Sequence, residues 1–305
     1  MFEINSFSKT GCELGEGPVW RSQSQTLTSV DCENKAVLVL DATGKILRRI
    51  VFPAAVSACL PCRDKQSMCF LKTGPVLVNL ESCPDRPLQD DFIALPHPET
   101  HLTDNRYNDA KVGPDGNVWF GSMDDTQTGG GGTLYRMTPD LSVSEIDGDY
   151  QITNGPAFSP CGRFVYHTET IGQMIYRFDI GDDGSVTGKT MHIRSPKDGG
   201  YPDGMVCDAD GNLWVCFFAG HRIARYDAQG VLLAEYKLPV PNVTSCTFGG
   251  PALDELFITT ARWTLSDEDR VKYPQAGDMF RMKTDTTGLP QPIFAPGPLA
   301  ETKAF

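Results

Sequence analysis

Short apolar runs, separated by tight turns, repeat along this chain with a fixed layout. The clearest copy is Tyr201–Val215, YPDGMVCDADGNLWV. Its second half reads as a hairpin: an apolar run, an Asp210-Gly211 turn, then an aromatic and β-branched run. Related copies begin at Asn108 (NDAKVGPDGNVWFG) and Asn154 (NGPAFSPCGRFVY), so the lead residues Asn108, Asn154 and Asp203 are spaced by 46 and 49 positions. Weaker copies begin near Glu16 and Thr244. A period of roughly 40–50 residues made of short strands is the pattern of a propeller blade, and the chain length accommodates about six. The pattern therefore predicts an all-β fold, a single six-bladed β-propeller over residues 1–305.

Taken in order, Phe2–Gly15 is expected to bring in a strand and a loop, the strand completing the last blade. Strands are predicted at Thr26–Cys32, Ala36–Asp41 and Ile46–Phe52, and blade two over Val56–Leu95. Asp104–Asp109 reads as a polar loop before blade three, and Asp203 as the end of a loop before its strand. The Gly129–Gly132 run is a hairpin tip; no helix with Lys-Ser/Thr follows to make a phosphate cradle. Trp263–Tyr273 is the one segment with helical character, an insertion between strands of blade six.

Composition fits a many-turned β protein: 30 Gly, 22 Pro and 40% hydrophobic residues in 305. A net charge of −12 argues against nucleic acid and anionic membrane as partners, since both require a basic footprint. No run approaches the roughly 18 apolar residues of a membrane span. The first residues lack the basic and apolar regions of a signal peptide, so a cytoplasmic location is expected. Ten scattered cysteines then read as small buried hydrophobes. Cys59-Leu-Pro-Cys62 has no second pair at zinc-site distance.

Propellers place equivalent blade positions around a central channel, so residues far apart in sequence meet there. Here those positions hold Glu16, Asn108, Asn154, Asp203 and the Thr244–Ser245 pair. Oxygen donors without cysteine or histidine suit Ca²⁺, Mg²⁺, Mn²⁺ or Fe²⁺ rather than a structural zinc. Taken singly, each could simply cap a turn. His167 reads as a residue packed within a strand, and Trp263 as a residue that could cover the channel mouth.

The motifs GEGPVW, NRYNDAKVGPDG, GSMD, ITNGPAFSPCG, YPDGMVCDADGNLWV and QAGDMFRM, from Leu14 to Met282, resemble the gluconolactonase/regucalcin (senescence marker protein) family. The resemblance implies a six-bladed propeller with one divalent metal in its central channel and hydrolysis of sugar lactones. It implies Glu16, Asn154 and Asp203 as metal ligands, with Asp203 also assisting water attack. It implies Arg106 and Asn108 as contacts to the sugar, joined by Asp124 or Asp125. The ion could be calcium, zinc, magnesium, manganese or iron(II), and the partner a small sugar lactone. Two other readings stand beside this one: a non-catalytic calcium-binding propeller, and a hydrolase of another ester or phosphotriester on the same ring.

Overall fold

A computed structural model describes residues 3–127 and 129–298, and they form six four-stranded antiparallel sheets. The innermost strands are Gly15–Arg21, Val56–Pro61, Asn105–Val112, Thr153–Phe158, Tyr201–Cys207 and Val243–Gly249. Each packs beside the next, and the last beside the first, so the sheets radiate as blades from a central channel. This is a six-bladed β-propeller. Ile4–Ser8 pairs with Met279–Lys283 and supplies the outer strand of blade six, joining the two ends of the chain in one sheet. Phe2, the expected start of that segment, lies outside the described residues.

The repeat explains the packing. In the second strands of blades three and five, Trp119 and Trp214 are wholly buried between neighbouring sheets, and Trp20 is buried on the inner strand of blade one. The turn before Trp214 is held by Asp208, which accepts hydrogen bonds from Asp210 N, Asn212 N, Asn212 Nδ2 and Trp214 Nε1. Arg225 adds an ion pair at 3.0 Å. One carboxylate thereby fixes a turn, an indole and a neighbouring strand.

One expectation is corrected. The site residues do not precede the inner strands in loops; Glu16, Arg106, Asn108, Asn154 and Asp203 lie within them. The predicted loop Asp104–Asp109 is strand from Asn105 onward. The physical reason is a bulge common to all six inner strands. Register with the second strand breaks at Glu16/Val19, Val56/Ala58, Tyr107/Ala110, Asn154/Ala157, Pro202/Met205 and Val243/Ser245. A bulge re-aims side chains, and at this end of the strands the wall faces the channel rather than a neighbouring sheet. Polar residues are tolerated there for that reason.

The helix forms where expected, between the second and third strands of blade six, but spans only Asp267–Lys272. Ser266 caps it by accepting from Asp269 N, and its Arg270 pairs with Glu13. Trp263 stands edge-on to Phe218 at the blade five–six boundary, at the same end of the strands as the site residues. At the opposite end the chain crosses beneath the blades. Thr287 O accepts from Ala209 N, Gly288 N donates to Leu253 O, Phe294 N to Pro61 O and Gly297 N to Pro139 O. A small, largely apolar cavity of about 100 Å³ lies there, lined by Lys111, Val206, Phe248 and Leu289. All ten cysteines are free thiols, eight of them buried. Among the described residues no helix is long and apolar enough to cross a membrane.

Candidate functional site

The channel residues come from the inner strands of blades one, three, four and five, and backbone chemistry explains how they fit. Glu16, Asn154 and Asp203 are each followed by glycine, and at two of these glycines a side chain has no room. A Cβ on Gly155 would lie 2.6 Å from Met205 Cε, and one on Gly204 would lie 2.2 Å from Ser245 Oγ. Gly155 also holds φ 75°, a left-handed conformation that glycine adopts without steric cost. The strands can therefore converge closely while each delivers one oxygen-bearing side chain.

Asn108 sits at the centre of a hydrogen-bonded chain. Its Nδ2 donates to Asn154 Oδ1 at 3.0 Å and to Thr153 O at 2.7 Å, tying blade three to blade four. Asn154 Nδ2 donates to Thr170 Oγ1 at 2.9 Å, and Thr170 Oγ1 donates to Pro202 O beside Asp203. This relay orients the Asn154 amide, leaving its carbonyl oxygen as the channel-side acceptor. On the other side Arg106 Nη1 donates to Asn108 Oδ1 at 2.7 Å and to Tyr107 O.

Arg106 also settles how the two candidate aspartates differ in geometry. Its Nε donates to Asp125 Oδ1 at 2.8 Å, while Lys72 Nζ approaches Asp125 Oδ2 at 2.5 Å. Partial burial works to raise the Asp125 carboxyl, but Lys72 and Arg106 outweigh it and hold the group below the usual range. Asp124 instead accepts from Thr126 N and Oγ1 within its own turn. Among the described residues the Arg106 Nη2 group has no protein acceptor, so it can bond an incoming oxygen.

The carboxylates of the channel are in the opposite condition to Asp125. Asp203 is 5% exposed, and Glu16 is half-buried in the channel wall. Glu16 accepts from Gly17 N and the neighbouring Gly204 amide favours the ionised form of Asp203, but among the described residues neither carboxylate has a side-chain donor. Burial pushes both carboxyls well up, and the repulsion of neighbouring carboxylates adds to it: Asp203 and Asp109 on Glu16, Asp109 on Asp203. Arg106 opposes the shift without cancelling it.

Asp109 is the residue that the sequence reading missed. Strict strand alternation would turn it away from the channel if Asn108 faces it. The bulge between Tyr107 and Ala110 breaks the alternation, so consecutive residues both serve the channel. Asp109 is 4% exposed, its Oδ1 accepts from Ala110 N, and its Oδ2 is buried without a partner. Burial raises its pKa to about 6, against the pull of Lys111. A polar pair, Asn108-Asp109, directly before the apolar positions of the repeat was the signal available.

This donor set fits a hard divalent cation. Buried carboxylates crowded together, short of hydrogen bonds and beside an oriented amide oxygen, are stabilised by a cation and costly without one. Among the described residues no three Asp, Glu, His or Cys side chains converge on one point. An ion would therefore need the Asn154 amide oxygen together with Glu16 and Asp203. His167 is excluded from this set: it is fully buried in the second strand of blade four, edge-on to Tyr150.

Comparison with known proteins places the chain in a family. Residues 14–262 match the SMP-30/gluconolactonase/LRE-like region. Pentonolactonase XacC of Haloferax volcanii is 31% identical over 287 residues, covering 92% of this chain and 94% of that protein. Regucalcin of Pongo abelii is 30% identical, covering 91% and 92%. The crystal structure of a calcium-binding protein, regucalcin, from Agrobacterium tumefaciens superimposes with a TM-score of 0.89 at 27% identity, covering 96% and 97% of the two chains. This chain belongs to the SMP-30/gluconolactonase family.

Proposed function

We propose that this protein is a sugar lactonase, opening the ring ester of a small aldonolactone to the aldonic acid. The observation that carries the reading is the opposition just described. Starved carboxylates at Glu16 and Asp203 stand beside an arginine, Arg106, whose Nη2 has no protein acceptor among the described residues. Family membership and the pentonolactonase relative support the same chemistry.

Glu16, Asn154 and Asp203 would hold a divalent cation. When bound, such an ion withdraws electron density from an ester carbonyl and offsets the charge that develops on its oxygen. The remaining work falls to the chain. Arg106 donates to lactone oxygens from Nη2, held in place by Asp125 and Asn108. Asn108 keeps Arg106 and Asn154 at fixed spacing, so its role is as much positioning as contact. Asp203 takes a proton from the attacking water. As the ring C–O bond breaks, the same carboxyl returns that proton to the departing ring oxygen. Atoms and charge balance: water and lactone give a hydroxy acid.

The alternative, a calcium-binding propeller without catalysis, draws on the regucalcin relatives. It leaves the Arg106–Asn108–Asp125 arrangement without a purpose. A pH-indicator assay over five- and six-membered aldonolactones, with chelated and ion-restored protein, separates the two readings. Ion-dependent acid release is expected. Its absence across the panel, with ion still bound, would contradict the lactonase reading.

A further inference from the structure

At the site end of the strands, along blades one to three, lies an open cleft of about 480 Å³. Lys35 and Lys72 line it, together with Thr100, Thr103 and Asn105. Glu99 is its only carboxylate among the described residues, and that group is already committed. Glu99 is 2% exposed and accepts from Ser122 Oγ at 2.6 Å, Tyr135 OH at 3.0 Å and Asn105 Nδ2 at 3.2 Å. The cleft can therefore offer a ligand the Lys35 ammonium and the Lys72 N–H groups that Asp125 does not occupy, with threonine hydroxyls around them.

The cleft is wired to the proposed site. Lys72 and Arg106 grip the two oxygens of one carboxylate, Asp125, so the ammonium and the guanidinium are separated by a single carboxyl group. Lys72 faces the cleft with its side chain 39% exposed, whereas the Arg106 side chain is 11% exposed and turned toward Asn108. A lactone whose ring oxygens meet Arg106 would direct its exocyclic chain past Asp125 toward Lys72 and Lys35. On a chain with net charge −12, a cleft lined by two lysines against one carboxylate, Glu99, is a local departure in sign.

We propose that this cleft is a subsite for an anionic group on the substrate. The substrate class would be a sugar lactone carrying a carboxylate, sulfonate or phosphate on the carbon farthest from the ester carbonyl. This rests on the lactonase reading and adds the charge of the substrate to it. Lys35 and Lys72 bind the anion, and Asp125 transmits the position of that end to Arg106.

The test compares kcat/KM for a neutral aldonolactone with its carboxylate, sulfonate and phosphate analogues, in wild type, Lys35→Met and Lys72→Met. Wild type should favour at least one anionic analogue by roughly tenfold or more, the effect of one charge-assisted hydrogen bond. The preferred analogue identifies the group. Either substitution should reduce that ratio, and added salt should reduce it in wild type. Equal kcat/KM for neutral and anionic lactones, or a ratio untouched by both substitutions, would overturn the subsite. Calorimetric titration with 6-phosphogluconate provides an arm that needs no turnover. Should no lactone react, the lactonase reading fails by itself. Binding that weakens in Lys35→Met would still support the cleft, and heat that is absent or independent of Lys35 would overturn it.

Discussion

Asp203 and Asp208 stand five residues apart, at the two ends of one hairpin arm in blade five, and both are buried. Asp208, at the outer turn, receives two side-chain partners through Asn212 and Trp214, backbone N–H groups, and the Arg225 guanidinium. Asp203, at the channel, has no side-chain donor among the described residues and feels the repulsion of Asp109. Burial is equal in kind and the satisfaction is opposite. A buried carboxylate saturated by its own protein stabilises the fold, whereas one left short of donors is available to something the protein binds.

Exchanging the two positions' fates should break the comparison if it is wrong. Asp203→Asn should lower kcat on the order of 10³-fold, the scale of a lost general base, while the protein stays folded; lactone hydrolysis together with circular dichroism checks this. Asp208→Ala should do the reverse. Removing one member of a buried, hydrogen-bonded ion pair costs about 3–5 kcal/mol. Denaturant unfolding should show that loss, with kcat unchanged per folded molecule.

A finer test lies in Asp109. Its carboxyl titrates at about 6 against an ordinary 3.8, so folding favours the protonated form. That contribution is complete below pH 4 and is lost as pH rises through 6. In chelated protein, Asp109→Asn should therefore match wild type at pH 4 and exceed it by about 2–3 kcal/mol at pH 7, from roughly 1.4 kcal/mol per pKa unit. Equal stability at both pH values would mean that Asp109 is not under electrostatic stress.

The smallest effect concerns His167, buried and unpartnered like the channel acids but resting in its neutral form. Burial lowers its pKa to about 3 from 6.5, with Asp147 opposing and Lys189 assisting. Its contribution is present above pH 6.5 and is lost as pH falls toward 3. Between pH 7 and pH 5 wild type should lose about 2 kcal/mol through this group. His167→Phe, with no ring nitrogen to protonate, should not show that loss in denaturant unfolding.

The repeat made most of the architecture legible. NDAKVGPDGNVWFG and its copies carry the turn and, in blades three and five, the buried tryptophan, and those are local signals. The convergence of Glu16, Asn108, Asn154 and Asp203 followed from their matching positions. What was not legible is the bulge. Backbone register is not written in any one residue, so the site residues read as loop when they are strand, and Asp109 was passed over behind Asn108. Asp124 and Asp125 look alike in sequence; they differ only because Arg106 and Lys72, from two other strands' ends, meet at one of them. Lys72 itself comes from blade two, which has no clear copy of the repeat to flag it.

The most direct test of the central claim is the thermal unfolding of chelated protein, with and without added divalent ion, in wild type and Asp203→Asn. Crowded, unsatisfied carboxylates awaiting a cation predict that the ion raises Tm in wild type and leaves Asp203→Asn unmoved. They also predict that the chelated variant melts no lower than chelated wild type. An ion effect of equal size in both proteins, or a chelated Asp203→Asn that melts well below wild type, would show that Asp203 is a structural acid like Asp208.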